Sequence, residues 1–393
     1  MSRGLRRGAA DLVCRLLLAS LPTHLRPWGD AVRQEVTHIP DQTEALLYAL
    51  GSLAGLLPRA LATHLSHPMV GHEPRQTLSR ESTHMSESRE SVFRPRRFAV
   101  ACGAGAVLSG LAYLGLADAP SSHLAVNALA LLIGFVLMAM LDRLSARSGA
   151  WRPAVIVAAA AAILFTAVLG QPVEGASRWA RVAGLSIQPS LILVPLLVLA
   201  FARAKDWLST AGVLVVALAL ALQPDRGMAG ALAAGMIAIA LLRPDRTAVM
   251  AALGAAAGFA ATLFRPDRLP AVPHVDQILY TAFGTGTGAG MAMLGGAFLL
   301  ILPAIMGLAR DRDGRILYAA HGAVWSAIVL AAALGNYPTP VVGYGGSAIL
   351  GYFLALAALP KTAAGRREGR SSISDVEAKP PGRPTLRAAP SSA

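Results

Sequence analysis

The chain has 393 residues, of which 54% are hydrophobic and 15% are charged, and its formal net charge is +13. A soluble chain carries about 25% charged residues, so this composition indicates an integral membrane protein with polar ends. It excludes a disordered chain, a collagen and a disulfide scaffold, since apolar residues dominate and there are only two cysteines. The excess of Arg and Lys is typical of cytoplasmic membrane loops, so no nucleic acid partner is expected.

The N-terminal region, residues 1–70, has mixed composition, with helices predicted near 8–21, 28–37 and 42–65. Its apolar run 45–57 has 13 residues, which is too short to cross a bilayer of roughly 30 Å. We therefore expect an amphipathic helical region that lies on the membrane or on a partner. A membrane-inserted hairpin is the alternative. No signal peptide is expected, because charged residues interrupt the first apolar run.

Two polar stretches flank the apolar part of the chain. Residues 71–97 and 362–393 are rich in Ser, Arg and Pro and lack apolar periodicity. Such stretches cannot bury enough apolar surface to fold. They are predicted to be a disordered linker and a disordered C-terminal tail.

Ten segments between them lack Asp, Glu, Lys and Arg, and most have 16–21 residues. An α-helix needs about that length to cross a bilayer. The sequence thus predicts an all-α, polytopic membrane domain over 98–361 with about ten transmembrane helices. The segment 278–309 is longer and rich in Gly, so part of it is expected to be a loop or re-entrant. The segments are 98–117, 124–141, 154–170, 185–202, 207–222, 227–242, 247–264, 278–309, 316–334 and 340–360.

The loops between these segments predict the orientation. Loops and flanks on one side carry 17 Arg and Lys residues, and those on the other side carry five. Membrane proteins keep their positive loops in the cytoplasm, so both termini are expected there, in a bacterial cytoplasmic membrane. The five arginines of the outer loops are exceptions to that bias and are candidate ligands for phosphate. They are Arg178, Arg181, Arg226, Arg265 and Arg268.

Four motif strings lie at the predicted outer face. They are Gly175-Ala176-Ser177-Arg178-Trp179-Ala180-Arg181 with Ser186-Ile187-Gln188-Pro189-Ser190; Gln223-Pro224-Asp225-Arg226-Gly227; Pro273-His274-Val275-Asp276; and Pro340-Val341-Val342-Gly343-Tyr344-Gly345-Gly346-Ser347. In this order among ten helices, they resemble the strings of the SEDS (shape, elongation, division and sporulation) family of FtsW, RodA and SpoVE type. That family shows GA-x-RW followed by QPSE, then QPD-x-G, H-T-D and P-x-x-SYGGSS. The resemblance covers about 98–360.

The resemblance implies an activity. Members of the family polymerise lipid II, a disaccharide pentapeptide on undecaprenyl pyrophosphate, into peptidoglycan outside the cytoplasmic membrane, for cell division or cell shape. They usually work with a class B penicillin-binding protein. The expected substrate is therefore lipid II or another undecaprenyl-pyrophosphate-linked sugar. The sequence does not identify a cofactor. A divalent cation, Mg²⁺ or Mn²⁺, is the candidate, although no metal-ligand spacing is present.

The resemblance also assigns site residues. Asp276 is the candidate general base that would deprotonate the acceptor hydroxyl. A plain helix N-cap is the alternative for Asp276, since a helix is predicted to follow it. For the other strings, the alternatives are interface anchoring, a hairpin turn and close helix packing. The expected substrate-binding residues are Arg178, Trp179, Gln188, Pro189, Ser190, Asp225, His274, Tyr344, Gly345, Gly346 and Ser347.

The chain departs from the family pattern at several positions. Leu191 stands where the family has an acidic residue, and Val194 stands where it has a Lys. Val275 replaces the Thr of the H-T-D triplet. These departures keep a second hypothesis open: a non-catalytic SEDS-like protein that binds or translocates lipid-linked sugars or scaffolds a cell-wall complex. An O-antigen polymerase or ligase is less favoured, because those usually carry a large outer loop.

Overall fold

The computed structural model describes residues 94–361 apart from 148–150, 171–176, 183–184, 205, 266–268 and 344; before them it describes 26–41 and scattered positions from 7 to 52. The elements in chain order are α1 (Arg26–His38), α2 (Pro95–Leu116), α3 (Ser121–Arg147), α4 (Trp151–Leu169), β1 (Ala180–Val182), β2 (Leu185–Ile187), α5 (Pro189–Arg203), α6 (Trp207–Leu222), α7 (Arg226–Leu242), α8 (Arg246–Leu263), α9 (Ile278–Thr285), α10 (Thr287–Arg310), α11 (Arg315–Leu334) and α12 (Gly346–Ala357).

The helices confirm the prediction of an all-α polytopic membrane protein. In the described part of the chain, six helices are long and apolar enough to cross a membrane: α2, α3, α4, α8, α10 and α11. Four shorter apolar helices, α5, α6, α7 and α12, match four further predicted segments. The first span begins at Pro95 rather than at 98. The strands β1 and β2 form a small antiparallel hairpin just before α5, where the sequence predicted the start of a span.

The long Gly-rich segment 278–309 contains two helices rather than a single helix. They are α9 and α10, and they meet at Gly286, whose φ of 151° is open to glycine but strained for other residues. The part of the segment that was expected to be a loop or re-entrant is the short helix α9 with the break at Gly286, and a full span follows it. The short α9 packs against α10.

The centre of the bundle is α5, which packs against α4, α7, α11 and α12. Pro195 lies inside α5, so no backbone N–H is available there for the carbonyl of Leu191, four residues earlier. The α12 helix passes next to that carbonyl at Gly351, where a Cβ atom would overlap the Leu191 oxygen. The missing side chain of Gly351 thus allows α12 to pack directly on α5 below its N-terminus.

One end of the bundle carries the loops that are rich in Arg and Lys, and we call it the arginine-rich end. Polar contacts hold its helices together. Arg96, at the start of α2, donates hydrogen bonds to the carbonyls of Ala357 and Leu359 and pairs with Asp142 of α3. Lys361 Nζ lies 3.3 Å from the other oxygen of the same carboxylate. These contacts tie the first two spans to the end of α12.

In the N-terminal region, α1 confirms the helix predicted near 28–37; most of the other two predicted helices lies outside the described residues. α1 buries Gly29 and Val36, and Val36 belongs to a small core with the buried Cys14. Arg310 Nη2, at the end of α10, is 3.4 Å from the carbonyl oxygen of Leu21 and donates to it. The N-terminal region thus touches the arginine-rich end of the membrane domain.

Candidate functional site

Asp225 connects two of the motif strings. Its side chain is fully buried, and its Oδ2 accepts hydrogen bonds from Gln188 Nε2 at 2.9 Å and Ser190 Oγ at 2.9 Å. Its Oδ1 accepts from the backbone N–H of Met228 at 3.2 Å and thereby caps α7. The Gln223-Pro224-Asp225 string is therefore more than the hairpin turn considered from the sequence.

Ser347 brings a third string to the same place. Its Oγ accepts a hydrogen bond from the backbone N–H of Gln188 at 3.1 Å. We call Gln188, Ser190, Asp225 and Ser347 the Asp225 cluster. All four residues are buried, and the bonds bring the N-terminal ends of α5, α7 and α12 together.

Arg178 lies beside the Asp225 cluster. It is 3% exposed, and its Nη2 donates to the carbonyl oxygen of Pro224. Its guanidinium carbon lies 5.3 Å from the ring centroid of Tyr337, within the range of a cation–π contact. Arg178 thus holds the turn before α7.

Asp276 lies in the loop before α9 and is 8% exposed. Its Oδ2 accepts a hydrogen bond from the backbone N–H of Val272 at 2.8 Å. The N-cap position of α9 is Gln277, so the alternative reading of Asp276 as the cap of that helix is wrong. Burial raises the pKa of Asp276, and the bond from Val272 opposes that shift in part.

The segment 336–339 joins the Asp276 loop to the Asp225 cluster. Pro338 pairs with Asp276 in an isolated antiparallel bridge, and the N–H of Thr339 donates to the carbonyl of Val275 at 2.9 Å. The ring of Tyr337 makes the cation–π contact with Arg178. Tyr337, Pro338, Gln188 and Asp225 are among the residues that line one small cavity.

The backbone near Asp276 is held in an unusual conformation. His274 has a φ of 59° and Gly343 a φ of 58°, and a Cβ atom on Gly343 would overlap the His274 carbonyl oxygen. The His274 ring also meets the ring of His123 edge-on, with centroids 6.4 Å apart. The fourth motif string thus packs on the third through its glycine.

The sequence analysis missed His123 and the segment 336–339. His123 lies in no motif string, and Tyr337 and Thr339 only precede one. These residues share one signal that could have revealed them. They are polar residues at the ends of apolar segments. Gln277 and Asn336 belong to the same group, since Gln277 Nε2 donates to Asn336 Oδ1 at 2.8 Å.

The remaining candidates are more scattered. Trp179 and Pro189 are half-buried, and Gly345 and Gly346 form the buried start of α12. Tyr344 and Arg268 lie outside the described residues. Arg181 and Arg265 are exposed, and Arg226 Nη2 donates to the carbonyl of Arg265 at 3.1 Å. No three His, Cys, Asp or Glu side chains in the described ranges are grouped as a metal ion would need.

Comparison with known proteins agrees with the fold and the motifs. The sequence profile of the FtsW, RodA and SpoVE family, described as cell cycle proteins, matches residues 106–269. The crystal structure of the rod shape determining protein RodA of Thermus thermophilus is 23% identical, with a TM-score of 0.52 over 68% of this chain and 95% of that chain. An aspartate-to-alanine mutant of that RodA gives 22% identity and a TM-score of 0.51 over 68% and 96%.

No protein of curated function matches the chain in sequence. The two RodA structures show that the apolar helices of this chain form the same kind of membrane domain. The profile match falls within that domain and includes the first two motif strings in full. The chain therefore resembles the SEDS family of FtsW, RodA and SpoVE type, in sequence over residues 106–269 and in fold over the membrane domain.

Proposed function

We propose that this protein is a peptidoglycan glycosyltransferase that polymerises lipid II at the outer face of the bacterial cytoplasmic membrane. The similarity to the family in sequence and fold supports a role in cell division or cell shape. The observation that carries the finer proposal is the convergence of all four motif strings on one region. Buried Asp276 pairs with Pro338, and Pro338 lines the same cavity as Gln188 and Asp225.

Asp276 is the general base in this proposal. The carboxylate takes the proton from the acceptor sugar hydroxyl, the hydroxyl oxygen attacks the anomeric carbon of the donor, and undecaprenyl pyrophosphate leaves. A base with a raised pKa accepts a proton more readily than an exposed aspartate. The burial that raises the pKa of Asp276 therefore suits this role.

The remaining motif residues bind and orient substrate in the proposal. Arg178 is the cation that neutralises the pyrophosphate, and its bond to the Pro224 carbonyl keeps it beside the Asp225 cluster. The other expected contacts come from Trp179, Pro189, His274 and the Asp225 cluster. A class B penicillin-binding protein is the proposed partner, and both termini are proposed to lie in the cytoplasm.

The second candidate function is a non-catalytic protein on the same fold, which binds or moves lipid-linked sugars or scaffolds a cell-wall complex. The observation that favours it is the pair of apolar residues at the start of α5. Leu191 and Val194 are 6% and 0% exposed, and they stand where the family pattern has an acidic residue and a Lys.

Polymerisation of purified lipid II by the purified protein, alone and with its penicillin-binding partner, tests the proposal. Asp276→Asn should lower the rate by about 10²–10⁴-fold and still fold, because an amide oxygen can accept the bond from Val272. The parent rate should fall as the pH drops through the raised pKa of Asp276, since protonation removes the base.

Asp118→Asn is the matched control, because Asp118 is an exposed residue in the turn between α2 and α3. It should polymerise like the parent. Equal polymerisation by Asp276→Asn and the parent would remove Asp276 from the mechanism. A parent protein that stays inactive where a RodA enzyme works would favour the non-catalytic function.

A further inference from the structure

Two arginines lie at the arginine-rich end of the bundle, on two helices that pack against each other. Arg152 is the second residue of α4, and Arg203 is the last residue of α5. The positive charges of Arg152 and Arg96 act unfavourably on that of Arg203. Arg96 forms an ion pair with Asp142, whereas no ion pair of Arg152 or Arg203 occurs among the described residues.

No carboxylate in the described part of the chain forms an ion pair with either arginine. Tyr318 is the other charged or titratable group that acts on Arg203, and the Nε of Arg152 is buried without a described hydrogen-bond acceptor. The adjoining residues 148–150 and 205 are Ser, Gly, Ala and Lys, so they add no acid. Four carboxylates at this end of the bundle have other partners: Asp142 with Arg96 and Lys361, Asp206 with Ser209, Asp245 with Arg243 and Thr247, and Asp311 with Tyr318.

The pair lies at the level of the lipid headgroups. Trp151 and Trp207 are the first residues of α4 and α6, two helices that pack together, and Trp207 is 60% exposed. Tryptophan favours the membrane interface, so these residues mark its depth at this end. Leu208, 59% exposed on α6, offers an apolar surface just beyond Trp207.

We propose that Arg152 and Arg203 bind the phosphate of an anionic phospholipid in the leaflet at the arginine-rich end. The guanidinium groups supply fork-shaped donors for phosphate oxygens, and the N-terminus of α4 adds the positive end of a helix dipole. The phosphate offsets the repulsion between the two arginines. The acyl chains lie along the exposed apolar side of α6. This site is separate from the Asp225 cluster and does not depend on the catalytic proposal.

Native mass spectrometry and thermal melting of the full-length protein in detergent, titrated with phosphatidylglycerol or phosphatidylcholine, test the site. The parent should retain phosphatidylglycerol preferentially and melt at a higher temperature with it. Arg152→Gln/Arg203→Gln should weaken apparent phosphatidylglycerol binding by roughly tenfold or more, since each cation near a headgroup contributes about a factor of five. Arg246→Gln, at the exposed start of α8 on the same end, should behave like the parent.

A conservative double variant is the control for loss of folding. Arg152→Lys/Arg203→Lys keeps both charges without the fork geometry, so its phosphatidylglycerol binding should lie between the parent and the Gln variant. Equal retention of phosphatidylglycerol by parent and both double variants would overturn the proposal. Stabilisation of the parent by inorganic phosphate to the same extent as by phosphatidylglycerol would indicate a free-anion site and overturn its assignment to a lipid.

Discussion

At the residue scale, Leu191 and Val194 explain how the chain tolerates its departures from the family pattern. Both side chains are buried in the first turns of α5, three positions apart and so near the same face of the helix. Removing one member of a buried ion pair costs about 3–5 kcal/mol, whereas replacing both by apolar residues is often neutral or stabilising. Joint replacement therefore leaves no uncompensated charge inside the bundle.

This explanation predicts the outcome of restoring the charges. Leu191→Glu alone should destabilise the protein by about 3–5 kcal/mol, because it buries one unpaired carboxylate; Leu191 and Asp225 also line the same cavity, which adds repulsion. Leu191→Glu/Val194→Lys should recover part of that loss. Thermal unfolding in detergent measures both. A double variant no more stable than Leu191→Glu would show that the two positions do not act as a pair.

Individual site residues were predictable from the sequence only as members of strings. The strings placed Gln188, Ser190 and Asp225 on a common outer face, and the structure bonds them together. The bond from Arg178 to the Pro224 carbonyl could not be predicted, because it depends on how two distant loops meet. For the same reason, His123 was missed: its contact with His274 is visible only after α3 packs in the bundle.

At the element scale, Gly343 controls the approach of the α12 loop to the Asp276 loop. Its positive φ and its contact with the His274 carbonyl leave no room for a side chain. Gly343→Ala should therefore cost about 1–2 kcal/mol for the left-handed conformation, and more for the overlap with backbone. Lower thermal stability and lower polymerisation activity are both expected, because His274 and Asp276 share that loop.

Gly295→Ala is the control for Gly343→Ala. Gly295 lies within α10, and a Cβ atom there would meet no heavy atom within 4 Å. Alanine favours a helix over glycine by about 1 kcal/mol, so this variant should be as stable as the parent or slightly more. Equal melting temperatures for Gly343→Ala and Gly295→Ala would contradict the close packing of the two loops.

The sequence could not predict where the elements break within an apolar segment. A run without charged residues reveals apolar length, so the sequence located the spans but gave 278–309 as one long segment. The break at Gly286 depends on a backbone angle that no charge marks. The hairpin β1–β2 was hidden for a similar reason, since its strands of three residues each are too short for alternation to be visible.

At the scale of the whole molecule, the arginine bias predicts the topology. Single cysteines at Ser121, exposed at the start of α3, and at Phe264, exposed at the end of α8, should react with an impermeant thiol reagent from outside intact cells. A cysteine at Asp313, exposed between α10 and α11, should react only after lysis. The native Cys14 and Cys102 are buried and provide the background. Labelling of Asp313→Cys from outside intact cells would show that the orientation is the reverse of the predicted one.

The shortness of the central helix sets the depth of the candidate site. At 15 residues, α5 is about 22 Å long, and Arg203 with Trp207 marks one membrane interface. Its other end then stops about 8 Å short of the opposite face of a 30 Å hydrocarbon layer. The loops before α5, α7 and α12 lie at that end, and irregular backbone is tolerated at membrane depth where protein encloses it. A polar headgroup would have to sink below the surface of the leaflet to reach Gln188 and Asp225. It would exchange bulk water for a medium of low permittivity, where the electrostatic attraction of each charged side chain is several times stronger.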